Sequence, residues 1–266
     1  MTELNKNHAP QGWQSCNRFN LFILCLFAFS CGDLGKEEIP PPSRPIQTQF
    51  KVEDFSSAQE CQSCHPTHYD EWSSSMHAYS MKDPVWLSLQ RHEHQVHDAK
   101  GIDLGNFCVQ CHSPVAALTD TIKNHNTFTY QDLQALPPQI QEGVTCDVCH
   151  TVTHIPDPTD IQTNGHFFET ADFKLFTDGT RYGIIDDPVD NDYHTSEYHP
   201  IYDRSEFCQN CHNLTVNGVN AEVTQFEWEG TAFQAMGSEC QSCHMPTYQG
   251  QAAVGGPIRD NLHRHF

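Results

Sequence analysis

The sequence predicts a mainly α fold with long loops and little strand. Three observations lead there. Helix signals come in short, separate pieces. Proline, glycine and aspartate punctuate the stretches between them. Hydrophobic residues make up only 37% of the 266-residue chain, below the roughly 45–50% apolar share of an ordinary soluble domain. A core built from side chains alone would be thin at that length, so something else is expected to fill part of the interior. The unusual counts are 13 cysteines and 18 histidines.

Phe19 to Ser30 form an apolar run after Arg18. The run is too short to cross a bilayer, which takes about 20 residues, and it fits the core of a secretory signal. Residues 1–30 are therefore expected to be a signal peptide. Cleavage after Ser30 would make Cys31 the first mature residue, which is what a bacterial lipoprotein acceptor requires. Ala28 stands where such acceptors usually carry leucine, so ordinary cleavage with an incidental Cys31 stays open. Residues 31–55, with Pro40, Pro41, Pro42 and Pro45, read as a Pro-rich extended tether. It would hold the folded body, residues 56–266, near a membrane if Cys31 is lipidated. These readings place the protein outside the cytoplasm, in the periplasm or at the cell surface.

Within the body, Glu71 to Met81 predicts one helix. Asp83-Pro84 opens another, a capping carboxylate followed by proline at the first helical position. It should run to about Asp98, before Gly101. Residues 151–205 are rich in Asp, Pro, Gly and Thr and read as loop with at most a small hairpin.

Ten of the 13 cysteines form five Cys-x-x-Cys pairs, each followed at once by histidine. The pairs are Cys61/Cys64, Cys108/Cys111, Cys146/Cys149, Cys208/Cys211 and Cys240/Cys243, with His65, His112, His150, His212 and His244 after them. This is the attachment pattern of c-type haem. Two thiols must reach the two vinyl groups of one porphyrin, and the next residue then offers an imidazole to the iron as proximal ligand. Five chance repeats of the trailing histidine would be on the order of one in a million. Zinc ribbons pair two such motifs into one site, but five is odd, and zinc gives no reason for the histidine. Iron–sulfur ligation uses denser cysteine spacing, and a disulfide scaffold needs no fixed offset. The sequence thus predicts five covalent c-type haems that supply part of the core. The motif starts lie 47, 38, 62 and 32 residues apart, so no strict repeat is present.

Twelve histidines outside residues 1–30 and outside the motifs could close the second iron face. Their abundance supports histidine on both faces but does not choose the individuals. Met76, Met81, Met236 and Met245 are weaker candidates, since methionine more often packs.

Cys61-x-x-Cys64-His65 followed by Trp72-x-x-Ser75-x-His77-Ala78 resembles the opening haem motif of multihaem cytochromes of the c-552/c-554 type. Glu142-Gly143-Val144-Thr145-Cys146 and Glu227-Trp228 leading to Gly237–Pro246 are similar. The resemblance covers roughly residues 58–266 and implies a multihaem cytochrome c fold organised around five covalently bound haems. It implies that His77 ligates a haem other than that of its own motif. It also implies that His97 and His194, upstream of Phe107-Cys108 and Phe207-Cys208, sit where distal ligands often occur, and the candidate distal set is His77, His97, His166, His194 and His265. The terminal His263–Phe266 run resembles a late family motif that usually continues into glycines, with His265 favoured over His263. Either the protein ends unusually early there or the sequence is truncated.

Two functions follow as expectations. One is an exported electron-transfer protein with mostly bis-histidine haems. The other is an oxidoreductase with one open haem acting on a small nitrogen or sulfur compound, resembling hydroxylamine oxidoreductases or nitrite reductases. No Cys-x-x-Cys-Lys occurs, and that is the usual mark of the pentahaem nitrite reductases. The net charge of −20 excludes nucleic acid as a partner, because phosphate binding needs Lys and Arg. It predicts redox partners with a basic docking surface. Oligomeric state is left open.

Overall fold

The computed structural model describes residues 50–155, 172–173, 179–216 and 219–266. The expected signal peptide, Cys31, His166 and most of the tether lie outside the described residues.

Among the described residues the fold is helical in short pieces. In chain order the helices are α1 Ala58–Cys61, α2 Pro66–Ser73, α3 Met76–Tyr79, α4 Pro84–Asp98, α5 Val109–His112 and α6 Pro114–Leu118. These are followed by α7 Tyr130–Gln134, α8 Pro138–Gln141, α9 Cys146–His150, α10 Thr224–Trp228, α11 Ala232–Ala235 and α12 Cys240–His244. Proline opens α2, α4, α6 and α8, a position where its missing N–H costs no hydrogen bond. The longest helix, α4, starts and stops where the sequence predicts, with the Asp83 side chain accepting from Val85 N. The helix predicted over Glu71–Met81 is two helices instead. Ser75 has extended backbone and caps α3 by accepting from Ala78 N, which breaks the run after α2.

Among the described residues strand is confined to four two-stranded sheets. Two of them, β1 (Val152–His154) with β2 (Asp172–Phe173) and β3 (Thr180–Gly183) with β4 (Thr195–Tyr198), fall where the sequence reads as loop with at most a small hairpin. The β3–β4 pair is parallel. Strands of two to four residues carry too little alternation to stand out in sequence. The other pairs are antiparallel, β5 (Leu214–Val216) with β6 (Val219–Glu222) and β7 (Thr247–Gln251) with β8 (Ile258–His263).

An apolar cluster of Met81, Trp86, Leu87, Val109, Val115, Ile140 and Val148, among others, occupies the space around α4, α5, α6, α8 and α9. Phe55 belongs to it at 3% exposure, and Phe50 and Val52 pack on it. The packed body therefore takes in part of the segment that reads as tether.

Candidate metal and cofactor site

Each cysteine motif is one helical turn. His65 N donates to Cys61 O at 2.8 Å and His212 N to Cys208 O at 3.0 Å. Motifs three and five are the whole of α9 and α12. A helical turn puts residues i, i+3 and i+4 on one side. The Cys-x-x-Cys-His spacing thus presents two thiols and an imidazole together.

Three motif imidazoles are oriented by backbone carbonyls. Nδ1 of His65 donates to Ala252 O at 2.7 Å, that of His112 to Ser80 O at 3.0 Å, and that of His150 to Tyr182 O at 2.7 Å. A carbonyl only accepts, so Nδ1 carries the hydrogen and Nε2 keeps its lone pair for a metal. Burial pushes the His112 and His150 pKa values down, His150 to about 4, where His265 also contributes. Both rings are neutral at physiological pH, the form that ligates.

Three motif histidines face a second imidazole. The ring centres of His65 and His194 lie 6.2 Å apart, those of His77 and His212 6.2 Å, and those of His150 and His265 6.1 Å. Two metal–imidazole bonds of about 2 Å, with about 1.2 Å from each nitrogen to its ring centre, put two axial rings about 6 Å apart. His194 and His265 donate Nδ1 to backbone carbonyls of Thr195 and His263, again leaving Nε2. His68 also lies 6.3 Å from His65, but its Nε2 contacts the Tyr248 hydroxyl at 3.1 Å. Of the two terminal histidines, His265 is the one placed across from His150. His263 donates Nδ1 to Met245 O.

His77 is held by its own neighbourhood together with the segment before motif three. Trp72 Nε1 donates to Val144 O at 2.8 Å, and Val144 N donates to His77 O at 3.1 Å. The Ser80 hydroxyl contacts both His77 O and His112 O at 2.8 Å. Glu142 accepts from Ser57 Oγ and Ala58 N, so motif one and motif three are tied at α1. Gly143, at φ +75°, sits where an added Cβ would lie 2.5 Å from His77 O.

The five motifs open into one cavity of ≈ 2680 Å³. It is lined by all five motif histidines, nine of the ten motif cysteines and by His77, His97, His194 and His265. Single-ligand pockets hold about 300–1,000 Å³, so this volume suits several large groups. The motifs also touch one another. Cys61 lies near enough to Cys146, Cys111 to Cys211 and Cys208 to Cys240 for the thiols to perturb one another's ionisation. Cys149 is close enough to Cys211 to raise its pKa, which burial chiefly pushes up to about 12. Among the described residues no group of three or more His, Cys, Asp or Glu side chains could hold a bare metal ion. Opposed imidazoles with thiols at the side fit a planar macrocycle, which supplies the four equatorial donors itself.

Residues 60–151 match the family model for cytochrome c554 and c-prime. A penta-heme cytochrome c552 from Thermochromatium tepidum is similar in structure, with a TM-score of 0.56 and 26% identity over 81% of this chain. Over these stretches the chain is similar to multihaem c-type cytochromes. It spans 57% of the length of that structure. No curated protein matches it.

His97 lines the cavity with Cys108 and His112, but among the described residues it has no ring contact with a motif histidine, and its Nδ1 donates to Glu93 O. His166 lies outside the described residues. Motif five is the open end, with Cys243 and His244 exposed. Sequence reasoning missed Trp86, whose ring stacks on His112 at 4.4 Å. It also missed the anchoring carbonyls of Ser80, Tyr182 and Ala252, which belong to residue types that carry no ligand signal.

Proposed function

We propose that this chain is an electron-transfer protein that carries five covalently attached c-type haems, most of them held between two histidines. The observation that carries the reading is the set of three opposed imidazole pairs, at 6.1 to 6.2 Å, across one shared cavity. Imidazoles on both faces leave no coordination position for substrate, which favours a carrier over a catalyst.

In this reading Cys61/Cys64, Cys108/Cys111, Cys146/Cys149, Cys208/Cys211 and Cys240/Cys243 form the thioether links. His65, His112, His150, His212 and His244 are the proximal ligands. His194, His77 and His265 are the distal ligands for motifs one, four and three. When bound, c-type haem supplies a one-electron iron couple. The chain's part is to fix and enclose. Carbonyls of Ala252, Ser80 and Tyr182 hold imidazoles in one tautomer. Trp72, Val144 and Ser80 hold the backbone at His77. The nearness of cysteines in motifs one and three, two and four, and four and five puts neighbouring attachment points close, as transfer between centres requires.

We also propose export, as the apolar run before Cys31 suggests, with membrane attachment through a lipid on Cys31. The redox partner would carry a basic docking surface, complementary to the net charge of −20. The oxidoreductase reading is second, and it would place an open haem at motif two or five. Electron paramagnetic resonance of the oxidised holoprotein separates the two. The carrier gives low-spin signals unchanged by nitrite, hydroxylamine or cyanide. A high-spin fraction that binds one of these ligands would overturn it.

A further inference from the structure

We propose that Asp147 and Arg181 form a fixed charge pair that sets the reduction potential of the centre at motif three. The inference rests on the haem reading above.

Motif three is the one motif of the five with a charged residue between its cysteines. Asp147 is 2% exposed, and both carboxylate oxygens are held. Oδ1 accepts from Arg181 Nε at 2.8 Å and Oδ2 from Ser56 N at 2.5 Å. Arg181 also donates from Nη1 to Thr180 O at 3.1 Å. The next residue on β3, Tyr182, gives the carbonyl that orients His150 at 2.7 Å. One four-residue strand therefore fixes both the imidazole of motif three and the charge inside its attachment turn. Asp147, Arg181, Cys146, Cys149 and His150 line the same cavity.

Stability alone does not call for this pair, since a buried ion pair is often no better than apolar residues of the same volume. Burial works against the carboxylate and pushes its pKa up to about 6, against the pull of Arg181 and Ser56 N. Glu60 is the other carboxylate acting on it. What a buried pair does supply is a fixed field at short range in a weakly screening medium. Reduction adds one electron from a donor protein or a chemical reductant, and the charge of the centre falls by one. No bond forms or breaks. A nearby carboxylate favours the oxidised state and a nearby guanidinium the reduced state.

The test is a spectroscopic potentiometric titration of the holoprotein, above neutral pH, alongside a haem count for each variant. Asp147→Asn should raise the potential of one centre, and Arg181→Gln should lower it. The charge-conserving Arg181→Lys and Asp147→Glu should stay near wild type. The opposed signs are the signature, because loosened packing would move both neutral variants the same way. If Arg181→Gln does not fold, a rise in Asp147→Asn that Asp147→Glu does not share still supports the pair. No shift in the neutral variants, or shifts of one sign, would overturn the proposal while a full haem count keeps the haem reading. A wild-type chain without haem would overturn the haem reading itself.

Discussion

The rings of His150 and His265 stand 6.1 Å apart with an interplanar angle of 22°. His150 belongs to an attachment motif in the middle of the chain, and His265 is next to its last described residue. Pro246 O accepts from Arg264 N, and Glu71 binds the Arg264 guanidinium and the His265 amide. These contacts hold the terminal segment in place. His265 thus comes to face a motif far away in sequence, the arrangement that the proposed pairing requires.

His265→Ala therefore removes one face of that site. One low-spin centre should become high-spin and bind cyanide, with the haem count unchanged. His263→Ala should leave the spin state as it was. Magnetic circular dichroism of the oxidised proteins reads both, and unchanged spectra in His265→Ala would refute the pairing.

Gly143→Ala tests the anchor of His77. Positive φ in a non-glycine residue costs about 1 kcal/mol or more, and the new methyl group would crowd His77 O and the Ser80 hydroxyl. We expect a loss on the order of 2–3 kcal/mol in denaturant unfolding, with perturbed spectra at the motif-four centre. Gly101→Ala, with open space around it at φ +75°, should show the backbone cost alone.

Acid should destabilise the protein through a pair outside the motifs. His94 and His125 are buried and stacked, with ring centres 4.6 Å apart at 9°. Burial lowers both pKa values, that of His125 to about 4, with His94 adding to the effect. Folded pKa values below the unfolded value near 6.5 mean the unfolded chain takes up protons first. Stability is then full above about pH 6.5 and falls as pH drops toward 4, by on the order of 3 kcal/mol for His125. His125→Phe keeps the stack and should flatten this acid limb. An unchanged pH dependence of unfolding would count against a buried neutral pair.

The acidity predicts how partners are met. Association with a basic redox protein should be fast at low salt and slow steeply as ionic strength rises, because screening shortens the range of steering. Stopped-flow mixing measures this directly. Rates independent of salt would remove charge complementarity from the account.

Much of the chemistry was legible in the sequence because it is local. A Cys-x-x-Cys-His turn contains its own geometry, and α4 carries its own stop and start signals from Asp83-Pro84 to Asp98. The pairing of His77 with His212 was not legible, since it depends on Trp72 and Val144 meeting across segments. Nor were the carbonyls of Ala252 and Tyr182, which any residue type supplies. The short strands β3 and β4 hid because Thr180 and Tyr182 turn inward over only four residues. The Asp147–Arg181 pair hid for a related reason. Its two residues lie on separate elements, and a carboxylate inside an attachment turn looks exposed until burial is known.

The central claim is that each of the five motifs carries one covalent haem. Intact-mass measurement of the chain, produced in a host that matures c-type cytochromes, tests it most directly. Five covalent haems raise the mass by five haem groups, and the increase survives denaturation and acid–organic extraction. A mass equal to that of the bare polypeptide, or a shift reproducibly short of five haems, would contradict it.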